Sequence, residues 1–152
     1  MKHKFKVCCA SLVVMVALLA RAEDPTAQPV LLDVSAEKVG FDAAIGKLVV
    51  VQGTVAAATW SATGKVMNIE FGNATRSRFL AVIFERNRAK IDEGFNGDVA
   101  ATLTGARVRL RGVLEAYGGQ IESWKDRPQL VITVADQITI LETGPSTRPS
   151  QP

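Results

Sequence analysis

Residues 46–55, Gly-Lys-Leu-Val-Val-Val-Gln-Gly-Thr-Val, constrain the fold of this chain more than any other stretch. Side chains alternate across a strand, so Val49, Val51 and Val55 share one face while Gln52 and Thr54 take the other. Gly53 falls on the apolar face. A glycine inside a strand pattern marks a bulge or the bend of a barrel corner. A long strand bent there serves both halves of a small closed barrel.

At 152 residues the chain has room for one domain with a real core. Its first residues read as an export signal. Lys2, Lys4 and Lys6 form a basic start, Val7 to Ala20 is an apolar run, and Ala20-Arg-Ala22 is a small-residue cleavage site. The run of fourteen residues is shorter than the roughly 18 needed to span a bilayer, so no stable membrane span is expected after cleavage. This reading divides the chain into a signal peptide (1–22), a flexible lead-in (23–34), one folded domain (35–142) and a disordered Pro/Ser/Thr-rich tail (143–152).

Cleavage would change the chemistry available. Four of the 18 basic residues and none of the 15 acidic ones lie in 1–22, which leaves 14 against 15, a formal charge of −1. Cys8, Cys9 and His3 depart as well, and they are the only cysteines and histidine. The exported protein, periplasmic or secreted, would then lack a thiol nucleophile, a Ser-His pair and the ligands of a tetrahedral zinc site. Glu70, Glu85, Glu115 and Asp136 are dispersed, with no spacing that implies a metal. The expectation is a non-catalytic protein with no metal and no cofactor.

The remaining pattern is all-β. After the first strand, Thr63-Gly64 marks a turn, and Val66 to Phe71 is a second strand with Met67, Ile69 and Phe71 on one side. Phe79 to Phe84 is a third, apolar on both sides. Either another segment covers its outer face, or Leu80, Val82 and Phe84 form an exposed apolar surface. Glu85 to Asp92 is helix-compatible, and Asp98 is placed to cap a further turn over Val99 to Leu103. Gly105 to Leu114 is a fourth strand with Val108 and Leu110 inward and Arg107, Arg109 and Arg111 outward. Arg127 to Val134 is the fifth, extended after a kink by Asp136 to Leu141. The expected core comprises Val49, Val51, Val55, Ile69, Phe71, Ile83, Val108, Leu110, Val131 and Ile138. A short helix capped by Ser35 is expected ahead of the first strand.

Five strands with a helical segment between the third and fourth is the layout of the oligonucleotide/oligosaccharide-binding (OB) barrel. Gly46 to Val55, Ile69-Glu-Phe-Gly72, Ala81-Val-Ile-Phe84, Gly105 to Gly112 and Arg127-Pro-Gln-Leu-Val131 with Gln137-Ile138 resemble the small OB domains akin to the anticodon-binding domain of tRNA synthetases, which exported bacterial proteins also carry. The resemblance spans roughly residues 35–142. It departs from the family where Gln120 to Asp126 separate Tyr117-Gly-Gly119 from Arg127-Pro-Gln129, lengthening a loop beside the binding face.

The resemblance implies weak binding of single-stranded DNA or RNA, which needs rings to stack on bases and cations to meet phosphate. Trp60, Asn68, Arg76, Arg78, Tyr117, Trp124 and Arg127 are the candidate nucleic-acid-binding residues. The opposing reading has Trp60 and Trp124 plug the barrel ends. It also makes the arginines of the fourth strand a solvated edge, and the protein a structural or protein-binding module of the cell envelope. Asn73-Ala-Thr75 is a glycosylation sequon with meaning only in a eukaryotic secretory pathway.

Overall fold

A computed structural model describes residues 28–36, 39–72 and 79–144. The signal-peptide segment, Arg76, Arg78, the Asn73 sequon and most of the expected tail lie outside the described residues. The strands are β1 (Val30–Asp33), β2 (Leu48–Trp60), β3 (Val66–Phe71), β4 (Leu80–Phe84), β5 (Arg107–Ala116), β6 (Pro128–Ile132) and β7 (Ile138–Glu142). Helices α1 (Glu85–Glu93) and α2 (Val99–Leu103) stand between β4 and β5. β2 pairs antiparallel with β3, β3 with β4, and β5 with both β2 and β6, while β4 pairs parallel with β6. These pairings close a ring of five strands with OB connectivity. Two further strands flank it, β1 parallel on β2 and β7 antiparallel on β5.

β2 is long because it belongs to both halves of the barrel. Its first part, Leu48 to Thr54, pairs with β5, and its second part, Val55 to Trp60, pairs with β3. The change of partner falls at a bulge: Val55 opposes Phe71 and Ala57 opposes Glu70, so Ala56 is the extra residue. The bend expected at Gly53 is therefore three residues late. Register runs unbroken through Gly53, which opposes Val108. Gly53 is instead a place where another segment comes close. A Cβ there would sit 2.1 Å from Cγ2 of Val34 and 3.0 Å from Cδ1 of Phe71.

Val34 reaches that position because the end of the expected lead-in is part of the fold. Val30 to Asp33 pair in register with Val49 to Gln52, and the amide of Val34 donates to the carbonyl of Gln52 at 2.9 Å. Leu32 and Val34 are buried. Ser35 caps no helix among the described residues. Its amide and hydroxyl both donate to Oδ1 of Asp33, and this holds the Asp33 carboxyl below its ordinary range. Gln52 and Arg107 lie near enough to lower it further.

The core follows the alternation of the strands. Val49, Val51, Val55, Met67, Ile83, Val108, Leu110, Leu114, Leu130 and Ile132 are fully buried, with Ile69, Phe71 and Ile138 nearly so. One expected member is corrected: Val131 faces outward and is partly exposed, while Leu130 and Ile132 point in. Three consecutive apolar residues carry no phase, so alternation could not choose between the two faces. Helices α1 and α2 contribute Ile91, Val99 and Leu103, all fully buried. Oδ1 of Asp98 accepts from the amide of Ala101 at 2.9 Å and caps α2.

β6 and β7 run along the same edge of β5, separated by a turn over Ala135–Gln137. Oε1 of Gln137 accepts from the amides of Thr133 and Val134 at 2.7 and 3.1 Å, and its Nε2 donates to the carbonyl of Arg111 at 2.9 Å. One side chain thus fills the break in the ladder that the kink creates.

Replacing Gly53 tests the close approach. Gly53→Ala is expected to displace Val34 and lower stability by about 1–3 kcal/mol, the range for overpacking a well-filled core. Urea unfolding reads this as a lower midpoint. An unchanged midpoint would mean that β1 is not seated on β2.

Candidate nucleic-acid interface

The outward side chains of β3, β4, β6 and the end of β5 make one continuous face. Asn68, Val82 and Val131 stand in one row across three strands, and Leu80, Gln129 and Glu115 in the next. Val82, between Asn68 and Val131, is 2% exposed, while Leu80 and Phe84 are half-buried and Val113 is 49% exposed. The apolar outer side of the third predicted strand is thus shielded at its centre by neighbouring strands and left open at its ends.

An open groove of about 740 Å³ runs over this face. Phe84, Val113 and Val131 supply its apolar surface. Gln129, Glu115, Arg86 and Thr133 supply polar groups, and Tyr117 with Gly118 and Gly119 forms its wall. Gly119 leaves room for the Tyr117 ring: a Cβ there would lie 2.3 Å from the Tyr117 hydroxyl oxygen and 2.4 Å from Cζ, so a larger residue would push the ring aside. The Tyr117 ring therefore lies against the loop backbone.

The long β5–β6 loop is pinched at its base. The amide of Tyr117 donates to the carbonyl of Arg127 at 2.8 Å, and the amide of Asp126 to the carbonyl of Tyr117 at 3.2 Å. These bonds continue the β5–β6 ladder by one step, so Gly118 to Lys125 form a closed excursion. Within it a single helical turn, Glu122–Trp124, brings Trp124 edge-on to Tyr117 with centroids 5.8 Å apart. The Arg127 guanidinium stands 5.7 Å from the Trp124 ring centre.

The two tryptophans are placed differently. Trp60, at the end of β2, packs against the core, and the Arg88 guanidinium covers it at 4.7 Å while pairing with Asp92 at 3.3 Å. Trp124 packs with Tyr117 and Arg127 in the loop and is not among the side chains packed on the core. A third guanidinium–ring pair, Arg86 over Phe84 at 4.8 Å, borders the groove.

The structure thus brings Tyr117, Trp124 and Arg127 together and sets Asn68 on the same outer face. Trp60 is not on that face: it pairs with the buried Met67, points to the inner side of the barrel at the β2–β3 turn and is covered there by Arg88 of α1. Phe84, Arg86, Val113, Glu115 and Gln129 line the groove without having been proposed from sequence. The two-sided apolar character of the third strand was the available signal for Phe84, and the alternation of β5 the signal for Val113 and Glu115. The arginine stripe of β5 belongs to the sheet formed by β1, β2, β5 and β7. There Nε of Arg109 donates to Oε1 of Gln52 at 2.7 Å, and Arg107 pairs with Glu142 at 3.5 Å. Among the described residues no three His, Cys, Asp or Glu side chains gather as metal ligands.

No protein-family model matches this chain, and no curated protein matches it either. Solved structures similar to it include the aspartyl-tRNA synthetase of Entamoeba histolytica, at 14% identity and a TM-score of 0.44. That match covers 67% of this chain and 20% of the synthetase. A protein described as an aspartyl-tRNA synthetase from Leishmania major Friedlin matches at 15% identity and a TM-score of 0.46, over 80% of this chain and 22% of the other. The chain spans about a fifth of each. The strand pairing itself defines the barrel.

The different settings of the tryptophans have a measurable consequence. Trp60→Ala is expected to cost on the order of 2 kcal/mol, less than the roughly 3–5 kcal/mol of a fully buried ring because part of it stays in water. Trp124→Ala is expected to change stability by less than about 1 kcal/mol. Equal losses in urea unfolding would place Trp124 in the core and contradict this distinction.

Proposed function

We propose that this chain is a non-catalytic binding module, exported after cleavage at Ala22, that takes single-stranded nucleic acid on the groove face of its barrel. The observation that carries the reading is the groove itself: an apolar floor beside Tyr117 and Trp124, with Arg86 and Arg127 at its margins. Bases stack on such rings whatever their identity, and guanidinium groups meet the backbone phosphates. Asn68 is placed on the same face to contact a sugar or base edge, and Trp60, at the barrel end, is assigned to stacking on its position in the sequence alone. Arg76 and Arg78 are assigned to phosphate on their position in the sequence alone.

A second reading rests on one feature of the same groove. Val113 is half exposed beside Phe84 and Val131, and a chain of formal charge −1 after cleavage has no overall attraction for polyanions. An apolar segment of another envelope protein fits that surface as well.

Anisotropy titration of labelled 12-nucleotide DNA and RNA across a salt series separates the two. Each phosphate contact contributes about −0.7 to the log–log salt slope, so Arg127→Ala is expected to flatten the slope by about that amount. Trp124→Ala is expected to weaken binding by about 1–3 kcal/mol at unchanged slope. Absence of binding at low salt would overturn the nucleic-acid reading and leave the protein-binding one. Export has its own test: the intact mass of protein recovered from the cell envelope is expected to lack residues 1–22, and retention of Met1 would refute cleavage.

A further inference from the structure

The floor of the groove contains a hydrogen-bonding group that the fold leaves unused. Gln129 is only 9% exposed, yet among the described residues its side-chain amide forms no hydrogen bond. No side-chain nitrogen or oxygen among the described residues is both sealed from solvent and without a partner. The Gln129 amide therefore opens onto the groove it lines. Water in the open groove can reach it, so the amide is free to exchange that water for a ligand without breaking a bond of the fold. An amide nine-tenths buried and open only to the groove is placed to read what lies there.

The neighbours of Gln129 give that site a direction. Leu80 lies beside it on β4 and offers no polar atom. Glu115 lies opposite on β5, exposed and lining the same groove. Side chains directly opposite on antiparallel strands lie about 5 Å apart at Cβ, close enough to act on one ligand. Together they present two carboxylate oxygens and one amide oxygen as acceptors against a single NH₂ donor. The pair is rich in acceptors, so the ligand edge that completes it must be rich in donors. The carboxylate also keeps phosphate away from this spot, which leaves it to a neutral base while the backbone follows the arginines at the margins.

We propose that Gln129 and Glu115 make the groove selective for nucleobases carrying an exocyclic amino group, over uracil or thymine. This rests on the nucleic-acid reading above and adds base preference to what stacking alone would leave tolerant. Adenine and cytosine each offer an amino group beside a ring nitrogen that accepts from the Gln129 NH₂, with the second amino hydrogen free for Glu115. Guanine offers an amino group and a ring N–H on one edge, with a carbonyl for the Gln129 donor. Thymine offers one N–H flanked by two carbonyl oxygens, whose lone pairs face the acceptors of the site.

The test compares dT12 with the same strand carrying one central cytosine, adenine or guanine, titrated on the full chain. The single amino base is expected to tighten binding at least about fivefold, the lower end for a good bidentate base contact, with guanine gaining most. Glu115→Gln, at an exposed position, and Gln129→Leu should each abolish the difference while leaving the salt slope unchanged. Equal affinities of the wild type for all four strands would overturn the base preference and leave the nucleic-acid reading standing. Failure of every strand to bind would overturn both. A Gln129→Leu protein that unfolds earlier but keeps the preference would assign Gln129 to packing and refute its role as a reader.

Discussion

Every part of this fold leans on β2, and β2 depends on the close contact of Gly53 with Val34. The strand pairs with β5 and β1 through its first half and with β3 through its second. One segment cannot lie flat in both sheets, and the bulge at Ala56 supplies the turn of the pleat that closure demands. Just before it the inner face must also admit Val34 and Phe71 at one position, which only a residue without a Cβ permits. The bulge and the glycine are separate devices three residues apart. One bends the strand and the other lets a neighbouring segment seal the barrel where it bends.

The parts of the fold legible in the sequence are those where alternation has a phase. β3 from Met67 to Phe71 and β5 from Arg107 to Arg111 alternate apolar and polar residues, and their inward and outward faces fall where that pattern puts them. β6 does not: Leu130, Val131 and Ile132 are equally apolar, and only the pairing with β4 and β5 decides that Val131 faces the groove. β1 was hidden for a different reason. Its four residues follow a polar, proline-bearing stretch, and parallel pairing with β2 is a long-range contact that no local pattern announces. In the candidate site, the rings and cations of the loops stood out in the sequence by residue type. Gln129 did not, because an amide after a proline at a strand start looks like any exposed polar residue until its burial is known.

The long β5–β6 loop also gains a physical meaning. An excursion of this length would leave Tyr117 and Trp124 without a fixed relation to the barrel if its ends were free. The two backbone bonds between the ends, from Tyr117 to Arg127 and from Asp126 to Tyr117, fix the base to the β5–β6 ladder. Gly119 then lets the Tyr117 ring fold back onto the loop. The Tyr117–Trp124 pair is thus tied to the sheet at the base of its loop, and on the proposed reading the entropy lost on binding would fall mainly on the flexible strand bound there.

The distribution of charge decides how such a face discriminates. Three guanidinium groups among the described residues lie over rings: Arg86 over Phe84, Arg88 over Trp60 and Arg127 over Trp124. Arg88 is further tied to Asp92. A cation held over an aromatic ring loses rotamer freedom before any ligand arrives. Glu115 and Glu70 stand on the outer face between these margins. Among the described residues the cations thus stand at the margins of this face and the acids nearer its centre, the arrangement on which the proposed function rests. A face built only for affinity would carry cations throughout. Acids beside a buried, unspent amide make sense where the backbone is kept to the rim and the centre is reserved for what hangs from it.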